Sequence, residues 1–156
     1  MADPEHLAER YISAVEAFIE AVRDVRSERM DAREGPEGWS PRDIAFHVAD
    51  VDSMLGLRLR RILCEDYPRL SGLDTQASVR LYRRGRLHVE LALDALSASS
   101  ALNTALIEKL TAEDLARKGL HSGGHDVTAA DLAAFMAMHV EAHIKQLKRV
   151  LTLAAR

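Results

Sequence analysis

Two histidines four residues apart, His139 and His143, sit in the stretch Phe135-Met136-Ala137-Met138-His139-Val140-Glu141-Ala142-His143, which otherwise reads as the apolar face of a long helix. At ~100° per residue, positions i and i+4 lie ~40° apart around the axis and one turn apart along it, so both imidazoles reach one point in space. Such a pair is part of a metal site that needs a third ligand. The best source is His47 in Trp39-Ser40-Pro41-Arg42-Asp43-Ile44-Ala45-Phe46-His47-Val48-Ala49-Asp50, where Ile44, His47, Val48 and Val51 share one helical face. Three neutral imidazoles would leave a divalent ion its full double charge and at least one open position, the arrangement of catalytic rather than closed structural sites. That ion is a Lewis acid, able to lower the pKa of a water or a thiol beside it. All-imidazole ligation suits zinc or nickel and also admits iron or copper. The spacing is not HExxH: Glu141 lies ~200° around the helix from His139 and faces away, which excludes the zincin arrangement. With an ordinary imidazole pKa of ~6.5, metal release is expected below about pH 6.

Other polar residues are weighed against this centre. Asp50, three residues after His47, could orient that imidazole or accept a proton, and is equally well read as an exposed charge. Tyr82 could offer its phenol to the cavity, although a core tyrosine is the ordinary reading. These two are the candidate catalytic groups, and no convincing general base is visible. The run His121-Ser122-Gly123-Gly124-His125 is read as a mobile surface loop that could lend a contact at the mouth of the site. His6 and His88 have no partner at useful spacing. Cys64 is ~25 Å along the helix from His47, too far to share its site. The arginines at 58, 60, 61, 80, 83, 84 and 86 could make an anionic-substrate or nucleic-acid patch, but with acidic neighbours such as Glu65, Asp66 and Glu90 they are read first as solvated faces and interface salt bridges.

The elements that must position the histidines are all helical. Residues 5 to 30 place Leu7, Tyr11, Ala14, Val15, Phe18, Ile19, Val22 and Val25 at helical spacing, giving a first helix. Gly35, Pro36 and Gly38 break the chain over 31 to 39. Ser40 then caps a second helix with Pro41 in its first turn and Asp43 at its positive end, running to about Cys64. Residues 65 to 76 form a connection, and a third helix covers roughly 77 to 110, weakened at Gly85 and around Ser97 to Ser100. Thr111 to Asp114 reads as a short capped turn and 119 to 127 as a loop. Thr128-Ala129-Ala130-Asp131 opens the fourth helix in the manner of a capping box. No segment has strand periodicity.

Four helices predict an all-α four-helix bundle in one domain spanning 1 to 156. The second helix is ~36 Å long, and a twelve-residue connector can span up to ~40 Å, enough to return along the bundle. Helices two and three then run parallel, in up-down-down-up order, and helices two and four antiparallel. His47 lies ~9 Å from the start of one helix and His143 ~15 Å from the end of the other, so antiparallel packing brings them to similar heights.

Composition limits the alternatives. One cysteine in 156 residues excludes a disulfide framework and suits a reducing compartment. The acidic first residues lack the features of a signal peptide and no apolar run approaches a membrane span, so the chain reads as cytoplasmic, with no membrane partner. A net charge of -3 with 4% aromatic residues argues against a general nucleic-acid binder.

The order Gly38-Trp39-Ser40-Pro41-Arg42-Asp43-Ile44-Ala45-Phe46-His47, then Thr111-Ala112-Glu113-Asp114-Leu115, then Thr128-Ala129-Ala130-Asp131-Leu132 leading to His139-x3-His143-x2-Gln146, resembles the DinB/YfiT-like superfamily over nearly the whole chain. The resemblance implies the up-down-down-up bundle and a divalent metal held by three histidines, carried over to His47, His139 and His143. It also implies a homodimer, consistent with apolar surface on helices one and three beyond one narrow stripe. Some members transfer or rearrange groups using a low-molecular-weight thiol, and many have no assigned activity. The related ergothioneine-pathway oxygenases carry a glutamate where this chain has Lys145, which counts against an oxygenase. The leading expectation is a metal-dependent enzyme that activates such a thiol for S-transfer or isomerisation of a small molecule. The alternatives are a metal-dependent hydrolase and a non-enzymatic, metal-stabilised dimeric binding module.

Overall fold

A computed structural model describes residues 3 to 33 and 35 to 153. Six helices, α1 (Pro4–Arg23), α2 (Pro41–Cys64), α3 (Thr75–Gly85), α4 (Val89–Ile107), α5 (Ala112–Ala116) and α6 (Ala129–Leu153), are joined by three short strands, β1 (Arg69–Leu70), β2 (Lys118–His121) and β3 (Asp126–Thr128). α1, α2, α4 and α6 form the four-helix bundle, each packed against two neighbours around a core that includes Phe18, Ile44, Leu55, Leu59, Leu93, Leu96, Met136 and Leu147.

The helix starts follow local chemistry. At the head of α2, Asp43 N–H donates to Ser40 Oγ at 3.2 Å and Ser40 N–H to Asp43 Oδ2 at 2.9 Å, a reciprocal cap with Pro41 in the first turn. Thr111 with Asp114 and Thr128 with Asp131 make the same box before α5 and α6.

Cross-helix pairs give the directions. Arg10 meets Glu141 and Arg29 meets the Leu151 carbonyl, so α1 and α6 run parallel. Asp52 is bonded to Ser99, and Arg60 to Asn103, so α2 and α4 also run parallel. Arg23 pairs with Glu90 and Tyr11 with Asn103, making α1 and α4 antiparallel. The order is up-down-down-up.

Three expectations are corrected. The first helix ends at Arg23 instead of 30, where the chain passes into a 3-10 turn over Ser27–Arg29. The expected helix from 77 to 110 is two: after Gly85, Arg86 takes the left-handed conformation (φ 50°), which stops α3, and α4 begins beyond His88. α3 packs antiparallel to α2, with Ser78 and Tyr82 bonded to Asp50 and Arg83 to Asp43. It is therefore part of the return path that lets α4 start at the same end as α2. Strands also occur: β1 pairs parallel with β2, and β2 antiparallel with β3. At two to four residues they are too short for an alternating pattern. This sheet closes the far end of the bundle, where Arg117 donates to the carbonyls of Ile62 (2.8 Å) and Glu65 (3.0 Å) and satisfies acceptors at the end of α2. No helix among the described residues is long and apolar enough to cross a membrane.

Candidate metal centre

His47 projects from the second turn of α2, and His139 and His143 from consecutive turns of antiparallel α6. Their Nε2 atoms converge: His139 Nε2 lies 3.2 Å from His47 Nε2 and 3.0 Å from His143 Nε2. Nitrogens ~2.0 to 2.1 Å from one ion, at angles of about 95 to 110°, are about 3.0 to 3.4 Å apart, so the spacing fits a divalent ion. Among the described residues this is the one group of three or more histidine, cysteine or carboxylate side chains close enough to share an ion.

A neighbour orients one of the three rings. His143 Nδ1 lies 2.7 Å from Gln146 Oε1, an acceptor, so the ring proton sits on Nδ1 and the Nε2 lone pair faces the other rings. His47 Nδ1 is buried without a hydrogen-bond partner among the described residues. Burial lowers the pKa of His47 to about 4 and of His139 to about 3, with the neighbouring imidazoles adding a smaller push in the same direction. Burial lowers His143 too, against the opposing bond to Gln146. With all three rings protonated on Nδ1, their Nε2 lone pairs would repel one another, and a cation between them would relieve that repulsion. Burial thus opposes protonation of all three rings, the direction that favours a metal ion over protons at this cluster.

Aromatic side chains wall the cluster. The Trp39 ring lies 4.5 Å from that of His47 and stacks at 16° to His143, and Phe135 lies 5.9 Å from His139. Trp39 Nε1–H donates to Gln76 at 3.3 Å. A 410 Å³ cleft lined by Trp39, Gln76, His143, Gln146 and Arg149 opens beside the site.

The remaining sequence candidates fall elsewhere. Asp50 does not orient His47: its carboxylate accepts from Ser78 and, at 2.7 Å, from Tyr82, so the two proposed catalytic groups bind each other at the α2–α3 contact. Burial, with the bond to Asp50, raises the Tyr82 pKa. His121 and His125 face each other on the β2–β3 hairpin, and Gly123 N–H donates to His121 Nδ1 at 3.0 Å. Neither joins the three-histidine group. Glu141 accepts two bonds from Arg10, turned toward α1. Cys64 is exposed at the end of α2. Gln146 and Trp39 were unassigned by sequence reasoning. The signal for Gln146 is its i+3 spacing from His143, on the same face.

Fold and site together define a class: four-helix bundles with a three-imidazole cluster between two antiparallel helices, suited to a divalent metal. A model of the DinB superfamily matches residues 9–147, and the chain belongs to that superfamily. It is 24% identical over 123 residues to an Oceanobacillus iheyensis protein named "Putative metal-dependent hydrolase", covering 79% of this chain and 71% of that one. A Bacillus licheniformis protein of the same name is 26% identical over 129 residues, covering 82% and 73%. Among solved structures, YfiT of Bacillus subtilis, described as "a probable metal-dependent hydrolase with an unusual four-helix bundle topology", superposes with a TM-score of 0.84 at 21% identity, covering 97% of this chain and 90% of that one. A mycothiol-dependent maleylpyruvate isomerase superposes with a TM-score of 0.75 at 16% identity, and its match covers 94% of this chain but 61% of the isomerase. At these identities the structural likenesses establish the fold.

Proposed function

We propose that this protein is a metal-dependent enzyme in which His47, His139 and His143 hold one divalent ion, zinc or nickel before iron or copper, to activate a low-molecular-weight thiol for S-transfer or isomerisation of a small electrophile. The observation that carries the reading is the convergence of the His47 and His143 Nε2 atoms on that of His139, at 3.2 and 3.0 Å, with no carboxylate among the donors. A divalent ion with three neutral ligands supplies an undiminished double charge, which favours the thiolate form of an incoming thiol. The protein's own groups do the positioning. Gln146 fixes the His143 ring, Trp39 packs over two of the imidazoles, and the adjacent cleft leaves room for a small molecule. Asp50 and Tyr82 hold α3 against α2, and Cys64, at the opposite end of α2 from His47, is not the nucleophile. The attacking group comes from solution.

The fold shared with a thiol-dependent isomerase supports this reading, and the hydrolase names of the sequence relatives favour a second one, hydrolysis at the same centre. One experiment separates them. Metal-loaded protein should consume a small electrophile only when a low-molecular-weight thiol is added, lose turnover in His139→Ala and keep it in Cys64→Ala. Ester or amide hydrolysis without thiol would replace the thiol reading with the hydrolase. The working unit is proposed to be a homodimer in the cytoplasm. The outer face of α4 supports pairing, since Leu91, Ala95, Ala98 and Leu102 recur on one side and the two leucines are 55% and 60% exposed.

A further inference from the structure

A second cleft, of 560 Å³, lies between the start of α2 and the α3–α4 junction. Arg33, Arg42, Arg83, Arg86 and His88 line it, with Asp31 and Asp43 as the acidic members. Two of the arginines are committed to shaping its wall. Arg42 uses Nε and Nη2 on Asp31 (2.8 and 3.0 Å) and Nη1 on the Leu87 carbonyl (2.8 Å). Arg83 donates to Asp43 at 2.7 Å and to the Gly38 carbonyl at 3.3 Å.

The other cationic groups are not used in this way. Arg33 approaches Asp43 only to 3.9 Å. The Arg86 guanidinium has no partner among the described residues, and the His88 ring makes no cap bond to α4 although it occupies the N-cap position. Asp43 is 3% exposed, and its charge is shared among Ser40 N–H, Arg83 and Arg33. Among the described lining residues, four guanidinium groups face two carboxylates, with Glu37 near enough to act on Arg83. Arg86 is also held at φ 50°, a backbone conformation that glycine adopts more easily, so the cleft gains this guanidinium at a conformational cost.

We propose that this cleft binds the phosphate group of a small phosphorylated molecule. Guanidinium forks match phosphate oxygens two at a time; Arg42 and Arg83, held by carboxylates and carbonyls, set the wall beside which Arg33 and Arg86 keep donors for a dianion. The cleft is separate from the metal reading in its residues, yet close to it in the fold. Asp43 precedes His47 by one turn of α2, and Arg83 holds Gly38, next to the Trp39 that covers the imidazoles. From sequence, Arg83 and Arg86 read first as solvated and His88 as unpartnered, because these residues meet Arg33 and Arg42 only when the α3–α4 break folds back on the start of α2.

The test is calorimetric titration of the purified full-length protein with inorganic phosphate and with pyrophosphate at constant ionic strength, using chloride as control. Phosphate should bind the unmodified protein, and Arg86→Gly should weaken it at least ~tenfold. The same variant should melt no lower than the parent, since glycine suits the positive φ. His143→Ala should retain phosphate binding. Equal binding by Arg86→Gly, or a response no larger than that to chloride, would overturn the proposal. So would loss of binding in His143→Ala alone, which would place the anion on the metal centre.

Discussion

Acidification probes the buried imidazoles directly. In the metal-free protein His47 titrates at about 4 and His139 at about 3, against ~6.5 in an unfolded chain. Both folded-state values are depressed, so as pH falls below ~6.5 the unfolded chain takes up protons that the folded chain refuses. The folded state loses stability throughout that window and stops losing it only when the folded rings themselves protonate. Each ring contributes at most ~1.4 kcal/mol per pH unit, less a discount for solvent reaching the partly exposed His139. Over about two units, one ring amounts to about 1 to 2.5 kcal/mol, or roughly 3 to 8 °C in Tm for a chain of this size. Asp52 acts in the opposite sense: burial raises its carboxyl pKa, so its protonation favours the folded chain as pH falls. The useful quantity is therefore a difference. Chelated parent and His139→Leu proteins are melted from about pH 7.5 to about pH 4.5 by circular dichroism. The parent should lose several degrees more than the variant over that range. Parallel curves would show that His139 is not held neutral and would refute the argument.

Three further outcomes follow from named contacts. Gln146→Leu removes the acceptor that fixes the His143 tautomer and should weaken zinc binding ~10- to 100-fold in competition with a chromophoric chelator, while unchanged affinity would show that the tautomer is set by other means. Gly56→Ala would place a Cβ 2.8 Å from Asn103 Cγ and should cost about 1 to 3 kcal/mol in urea unfolding; an unchanged midpoint would show that Asn103 moves aside freely. Leu102→Glu puts a charge on the exposed face of α4 and should turn a sedimenting dimer into a monomer, whereas a dimer that persists would place the interface elsewhere.

The centre was legible because it depends on quantities local to each helix. A four-residue spacing fixes His139 relative to His143, and the rise per residue fixes the height of His47 once the two helices are antiparallel. The caps at Ser40 and Thr128 could be read for the same reason. What escaped depends on partners distant in sequence. β1 has two residues, and its pairing with β2 joins Arg69 to Leu120 across the whole of α3 and α4. The break after α3 escaped because its left-handed residue is Arg86 rather than the preceding Gly85, reversing the usual signal for a helix end. The arrangement of Asp50, Ser78 and Tyr82 could not be read while α3 was taken as part of the third bundle helix.

One further group, silent in the sequence, explains how α2 holds its place. Asp52 is 2% exposed, and its carboxylate accepts from Tyr11 of α1 and Ser99 of α4, with Asn103 Nδ2 at 3.5 Å. Asn103 in turn accepts from Arg60 of α2 at 3.0 Å and packs where Gly56 leaves no side chain. Apolar packing alone tolerates small slides and rotations of a helix, whereas a buried carboxylate must keep its donors in reach or bear the full cost of desolvation. His47 lies five residues earlier on the same helix, ~140° around the axis, so the bonds at Asp52 constrain the rotation and height of α2 on the side opposite the His47 face. A slide of one residue, ~1.5 Å, would break the convergence of Nε2 atoms and strand the Asp52 carboxylate together. The same rigid helix thus couples the bundle's polar interior to the geometry of its three-histidine cluster.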